Sequence, residues 1–305
     1  MTPPIDFGPS LKALNRSDWI AGIHAVADQH GYAINLGPRH MAAYVNGGST
    51  LLVSFESRQG IQALSPVGHP LGWDMVLGYG WSQMTLICDG DTWFRDPEVY
   101  DFFDRLSDEG ICDDFDEVLF YGAGPCGYAA AAFSVTAPGA RVLAIQPQAT
   151  LDPAMAGWDG RFTEMRRLDF TGRYGYAPHM IEAARRAFIL YDPMQREDAM
   201  HAALFGGDNV TRLTLPNMGA ALQTDLLEMD VLYDLLAMTS DSTLVPQDFA
   251  QLMRARRAHR PYLRRLLSRL EQDGREGLAE LLCRNVARRL KEPGFGRRPG
   301  RKRVS

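Results

Sequence analysis

Hydrophobic positions along this chain recur with two periods. Between 10 and 31, Trp19, Ile20, Ile23, Val26 and Ala27 fall at helical spacing and Gly31 supplies a stop, which predicts one amphipathic helix. Beyond it come short apolar runs bounded by Gly, Pro and Asp, at 50–55, 83–88, 117–121, 140–147, 187–191 and 210–215. Runs with so little polar alternation suit strands of a parallel sheet buried on both faces. Residues 32–45 predict an early hairpin or irregular strands, 56–58 a polar loop, and 74–79 another short strand. Pro97, with Glu98 behind it, predicts a helix N-terminus running to 106. From 115 to 215 the order is strand, tight turn, helix, strand, long insertion, strand, helix, strand, which implies right-handed crossovers. The expected fold class is α/β, a mostly parallel sheet with helices on both faces.

The last quarter of the chain changes period. Leu263, Leu266, Leu267 and Leu270, then Leu278, Leu281, Leu282 and Val286, recur as helix faces and predict helical segments over 246–260, 261–273 and 275–290. Charge changes with them. From 251 onward there are 17 Lys/Arg to 5 Asp/Glu, whereas the first 250 residues carry 15 to 32. The expected organisation is therefore a main domain over 1–240 with an insertion at about 150–183, a small basic helical unit over 241–292, and a disordered basic tail over 293–305. Such a tail is a weak candidate for nucleic acid, because no stacking motif or recognisable nucleic-acid module accompanies it.

Composition narrows the classes. A chain of 305 residues that is 46% hydrophobic holds a sizeable core. No apolar run reaches the ~18 residues that span a bilayer, and the first residues lack the basic-then-apolar pattern of a signal peptide. Cys88, Cys112, Cys126 and Cys283 are scattered without CxxC spacing, which argues against a zinc site or a disulfide framework and suits a reducing, cytoplasmic setting. Asp89-Gly90-Asp91 does not match an EF-hand loop, and a loop packing Trp93 is expected there. Neither a metal nor a cofactor is expected.

The candidate chemistry sits at Val118-Leu119-Phe120-Tyr121-Gly122-Ala123-Gly124-Pro125-Cys126-Gly127-Tyr128-Ala129-Ala130. This reads as a strand, a sharp turn and a helix of small residues. It is the layout of a nucleophile elbow, small-x-nucleophile-x-small. Gly122 and Cys126 fit the small flanks, which puts Gly124 at the nucleophile. The segment resembles the GxSxGGYAA elbow of bacterial α/β-hydrolase-like proteins, some tied to polysaccharide export, over roughly residues 50 to 225. The resemblance implies an oxyanion donor at the residue after the nucleophile; here that is Pro125, which has no N–H. It implies a Pro-Gly-x-Gly-His segment after the last strand; here Pro216-Asn217-Met218-Gly219-Ala220 puts Ala220 at the histidine. The acid position falls to Asp192 or Asp198.

Three functions follow as expectations. The first is a non-catalytic or altered α/β-hydrolase-fold protein, with Gly122, Ala123, Gly124, Pro125 and Cys126 lining a pocket for an unknown small ligand or protein partner; a conventional serine hydrolase is not expected. The second shifts the register, making Cys126 the nucleophile of an acyl hydrolase or acyltransferase, with Asp192 as acid and His201, or His179, as base. The third is phosphoadenosine phosphosulfate reductase, a label carried by bacterial proteins of about this length that the chain also resembles. The Ser-Gly-Gly-x-Asp-Ser loop and Glu-Cys-Gly-x-His segment of that activity are absent, so it is disfavoured. The insertion at 150–183, rich in Arg and aromatics, is expected over the active-site end of the sheet. There it would grip an anionic or sugar ligand, or pair with the acidic body.

Overall fold

The structure is a computed structural model that describes residues 5–292, 294 and 295. These form one eight-stranded sheet: β1 (Gly31–Leu36), β2 (His40–Val45), β3 (Thr50–Ser57), β4 (Ser82–Cys88), β5 (Glu117–Ala123), β6 (Arg141–Ile145), β7 (Arg186–Tyr191) and β8 (Val210–Thr214). The order across the sheet is β1-β2-β4-β3-β5-β6-β7-β8. β2 runs antiparallel to both neighbours, and every other pair is parallel.

The continuous apolar runs are explained by cover on both faces. Phe55, Phe120, Val142, Ala144 and Ile189 point to one side, under helices Pro97–Asp108 and Pro125–Phe133. Leu52, Leu119, Leu143 and Leu190 point to the other, under Leu222–Glu228, Leu232–Ser240 and Pro246–Leu252. Helix Arg16–His30 covers the β2 end through Trp19, Ile23 and Ala27, against Met41, Ala43 and Ile87. The fold is α/β-hydrolase-like: a mostly parallel sheet, helices on both faces, and a sharp strand-to-helix turn at the end of β5.

Two local expectations are corrected. Residues 74–79 are not a strand; Leu71–Tyr79 is a helix, preceded by Pro70. Gly80 closes it at φ 66, donating its N–H to the Val76 carbonyl. Those start and stop signals outweigh the short apolar run. The polar loop after β3 is also absent. Glu56 and Ser57 stay in the strand, and Ser57 caps helix Arg58–Leu64 by accepting from the Gly60 N–H at 3.0 Å.

The C-terminal helices Arg260–Gln272 and Glu276–Arg289 pack on each other; Leu263, Leu267 and Val286 of the expected faces are buried, whereas Leu278 and Leu281 are exposed. Polar contacts join them to the body: His259 Nε2 lies 2.9 Å from Asp225 Oδ1, and Arg265 pairs with the same carboxylate. Leu244, Phe249 and Met253 belong to the buried cluster under the sheet. The basic tail, apart from 294 and 295, lies outside the described residues, within which no helix is long and apolar enough to cross a membrane.

Phe133, fully buried, stacks on Phe103 at 4.4 Å and on Phe55 at 5.7 Å. Phe133→Ala should therefore cost about 3–5 kcal/mol of unfolding free energy, read from urea denaturation.

Candidate functional site at the strand-to-helix elbow

β5 ends at Ala123 and the next helix begins at Pro125, so the reversal falls on Gly124, at φ 57 and ψ −124. An L side chain there costs on the order of 1–3 kcal/mol, while glycine adopts it freely. The turn is held by its own backbone. The Gly124 N–H donates to the Ile145 carbonyl at 2.8 Å, and its carbonyl accepts from the Tyr128 N–H at 3.0 Å. A Cβ on Gly122 would lie 2.1 Å from the Cys126 carbonyl oxygen, and one on Gly127 3.1 Å from those of Gly122 and Ile145. A Cβ on Gly124 would meet nothing within 4 Å. The elbow geometry is thus complete and its one outward position carries no side chain. Pro125 offers no N–H beside it.

A cavity of about 720 Å³ opens at this turn, over the C-terminal ends of β3, β4 and β5. Of the five residues expected there, Ala123, Pro125 and Cys126 line it on the elbow side, while Gly122, closed against the Cys126 carbonyl, and Gly124 do not; Phe55, Leu64, Val67, Trp93 and Phe94 supply apolar wall. Trp93 is 1% exposed, and its indole N–H has no partner among the described residues.

Cys126 lies in the first turn of the elbow helix. A hydrogen bond with the Cys88 thiol, together with burial, pushes its pKa well up, and the carboxylates of Glu56 and Asp91 add to the effect. Asp192 and His201 are elsewhere. Asp192 follows β7, is fully buried, and accepts from the N–H groups of Met194 at 2.8 Å, Asn217 at 3.2 Å and Gly219 at 2.6 Å. It clasps the loop in which Ala220 holds the expected histidine place. His201 Nδ1 accepts from the Ala149 N–H at 3.1 Å, so Nε2 carries the proton it shares with Asp159 at 2.9 Å. Burial lowers its pKa. Asp198 binds Arg161 and Gln146, each at 2.6 Å. Neither Asp192, Asp198, His201 nor His179 lines the cavity, so the structure does not bring the acid and base of the cysteine register to Cys126.

The insertion pairs with the acidic body instead of presenting its arginines to the cavity. Arg161 binds Asp159 within the insertion and Asp198 of the body, and Arg173 binds Asp101 and Asp104 of the body. No residue of 150–183 lines the cavity, although Phe162 packs edge-on against Trp93 at 4.9 Å, behind its wall.

Sequence reasoning missed Glu56, His69, Asp74 and Tyr233, all in the lining. Glu56 ends a buried run and is 7% exposed. The Leu71 N–H points between its two oxygens, 3.1 Å from each, and the Ser54 hydroxyl donates to it at 3.1 Å. Burial nevertheless raises its pKa to about 7. Burial also lowers the pKa of His69. The Tyr233 hydroxyl donates to Asp74 at 2.6 Å. A carboxylate directly after five apolar or small strand residues was the available signal for Glu56.

No protein-family model and no curated protein sequence matches the chain. Among solved structures it is similar to an acylaminoacyl peptidase from Pyrococcus horikoshii (8% identity, TM-score 0.46, 68% of this chain and 41% of that one). It is likewise similar to an esterase from Pyrobaculum calidifontis (10%, 0.45, 77% and 95%). A third is a chain of the Glycosylation Associate Protein (Gap123) complex from Streptococcus agalactiae (12%, 0.46, 67% and 45%). The chain spans less than half the length of the first and third. None of their chemistry transfers to this chain through the likeness.

Two outcomes are expected. Gly122→Ala should lose more stability than Gly124→Ala in urea denaturation, since the first drives a methyl into backbone and the second meets only a torsional cost of about 1–3 kcal/mol. For Glu56, the unfolded chain gives up the proton near the ordinary value of about 4.3, while the folded protein keeps it to about 7. Between those values the folded state holds the extra proton, so stability falls as pH rises and levels off above 7. The Glu56→Gln variant should therefore gain about 3 kcal/mol on the parent between pH 4 and 8, measured as the difference between their denaturation midpoints times slope.

Proposed function

We propose that this protein binds a small ligand in the cavity at the elbow and performs no serine-type acyl transfer. The observation that carries the proposal is Gly124. It keeps the elbow backbone, opens towards space rather than protein, and has no nucleophile to offer. Pro125 removes the adjacent oxyanion donor, a loss typically worth about 100- to 1,000-fold in such enzymes. A cavity of about 720 Å³ is within the range that holds a drug-sized molecule. The same volume suits a bound ligand better than a protein partner. Four free cysteines fit a reducing compartment, and we place the protein in the cytoplasm on that ground.

One observation favours the cysteine reading: Cys126 lines the cavity from a helix N-terminus, which favours thiolate. Its bond to Cys88 and the nearby carboxylates oppose it. Purified protein assayed on p-nitrophenyl esters and acyl thioesters, beside Cys126→Ala, should show no turnover in either. Turnover lost on substitution would establish the cysteine enzyme instead. Thioredoxin-driven reduction of phosphoadenosine phosphosulfate should also be absent, since a polyanion would enter a cavity lined by acids.

A further inference from the structure

The cavity carries charge of one sign. Glu56, Asp74, Asp91, Glu228 and Asp230 line it, and no Lys or Arg does. His69, the one other group there that could be cationic, is disfavoured as imidazolium by its burial. Four of the five carboxylates are exposed, whereas Glu56 is buried deep beside the elbow. Its contacts are all to neutral donors, the Leu71 N–H and the Ser54 hydroxyl, with no cationic partner among the described residues. A buried carboxylate without a counter-charge destabilises the fold that holds it. An incoming cation would offset that cost, and an incoming anion would add to it.

The remaining lining says what kind of cation. Phe55, Trp93, Phe94 and Tyr233 put aromatic rings around the space, a setting that favours ammonium groups over ring faces and apolar bodies against ring edges. A bare metal ion fits poorly. Among the described residues the grouping close enough to share one is Asp225, Glu228 and His259, where Asp225 is already taken by Arg265 and His259. Of that group only Glu228 lines the cavity.

We propose that the cavity selects an organic cation, an amine with an apolar or aromatic body, whose ammonium group pairs with Glu56 while the exposed acids draw it in. This rests on the ligand-binding function above and specifies its ligand class. The groups facing Glu56 are Ser54 on its own strand, Asp74 and the Leu71 and Gly72 N–H groups from helix Leu71–Tyr79, Tyr121 from β5, Cys126 from the elbow helix and Tyr233 from helix Leu232–Ser240. None is a cation. An ammonium ligand would therefore displace the Glu56 proton below neutrality, and its affinity should rise with pH until that carboxyl is ionised.

The test is titration calorimetry of the full chain with matched triplets that share one aryl-ethyl or alkyl skeleton and end in ammonium, hydroxyl or carboxylate. Tryptamine, tryptophol and indole-3-acetate form one triplet. At pH 8 the amines should bind at least about tenfold more tightly than the alcohols, with the carboxylates weakest. Between pH 5.5 and 8 amine affinity should climb, and alcohol affinity should stay level. Glu56→Gln should remove the preference and the pH trend together. Asp91→Asn, at an exposed loop position, should lower amine affinity by a smaller factor and keeps the test available if Glu56→Gln fails to fold. Alcohols binding as tightly as amines would overturn charge selection and leave the ligand-binding function standing. No binding by any amine would overturn the proposal, and ester turnover would overturn the binding function beneath it.

Discussion

The closeness of β5 to the helix that follows it governs the site. At Gly122 the strand backbone and the Cys126 carbonyl are separated by less than a methyl group needs. That contact lets the chain reverse within one residue, and it forces the reversal onto Gly124 with a positive φ. The reversal then aims the start of the helix across the ends of β3 and β4, where the cavity opens. The elbow side of the site thus depends on one backbone contact that only glycine permits.

This explains which parts were legible. Steric demands leave marks in sequence: Gly122, Gly124 and Gly127 announce the turn, and unbroken apolar runs announce strands covered on two sides. Gly80 and Pro70 carried the same kind of mark for the helix at 71–79, against a misleading short apolar run. Electrostatic partnership leaves weaker marks. Nothing local says that Asp192 will spend its oxygens on three amides, or that Arg161 will settle between Asp159 and Asp198. Asn217, Gly219 and Asp198 lie tens of residues from the groups they bind and are chosen by how the crossovers stack. The cavity was invisible for the same reason, since its lining is gathered from segments between Phe55 and Tyr233.

Glu56 shows how a fold tolerates a costly group. The N-terminus of helix Leu71–Tyr79 points at it and supplies partial positive charge, the general way a helix start receives an anion. That contribution offsets only part of the burial, as its raised pKa records. The chain keeps a poorly compensated carboxyl beside an open volume, where a core leucine would have been easier to hold.

Asp192 sets a limit on what this scaffold could become. A carboxylate that orients a histidine needs acceptor capacity free on the side facing the ring, and this one already holds the loop that would carry the histidine through the Asn217 and Gly219 N–H groups. Placing serine at Gly124 and histidine at Ala220 would set the new imidazole in competition with the loop's own amides for the same acid. Turning this scaffold towards acyl transfer would therefore involve the loop that Asp192 holds as well as the two new side chains.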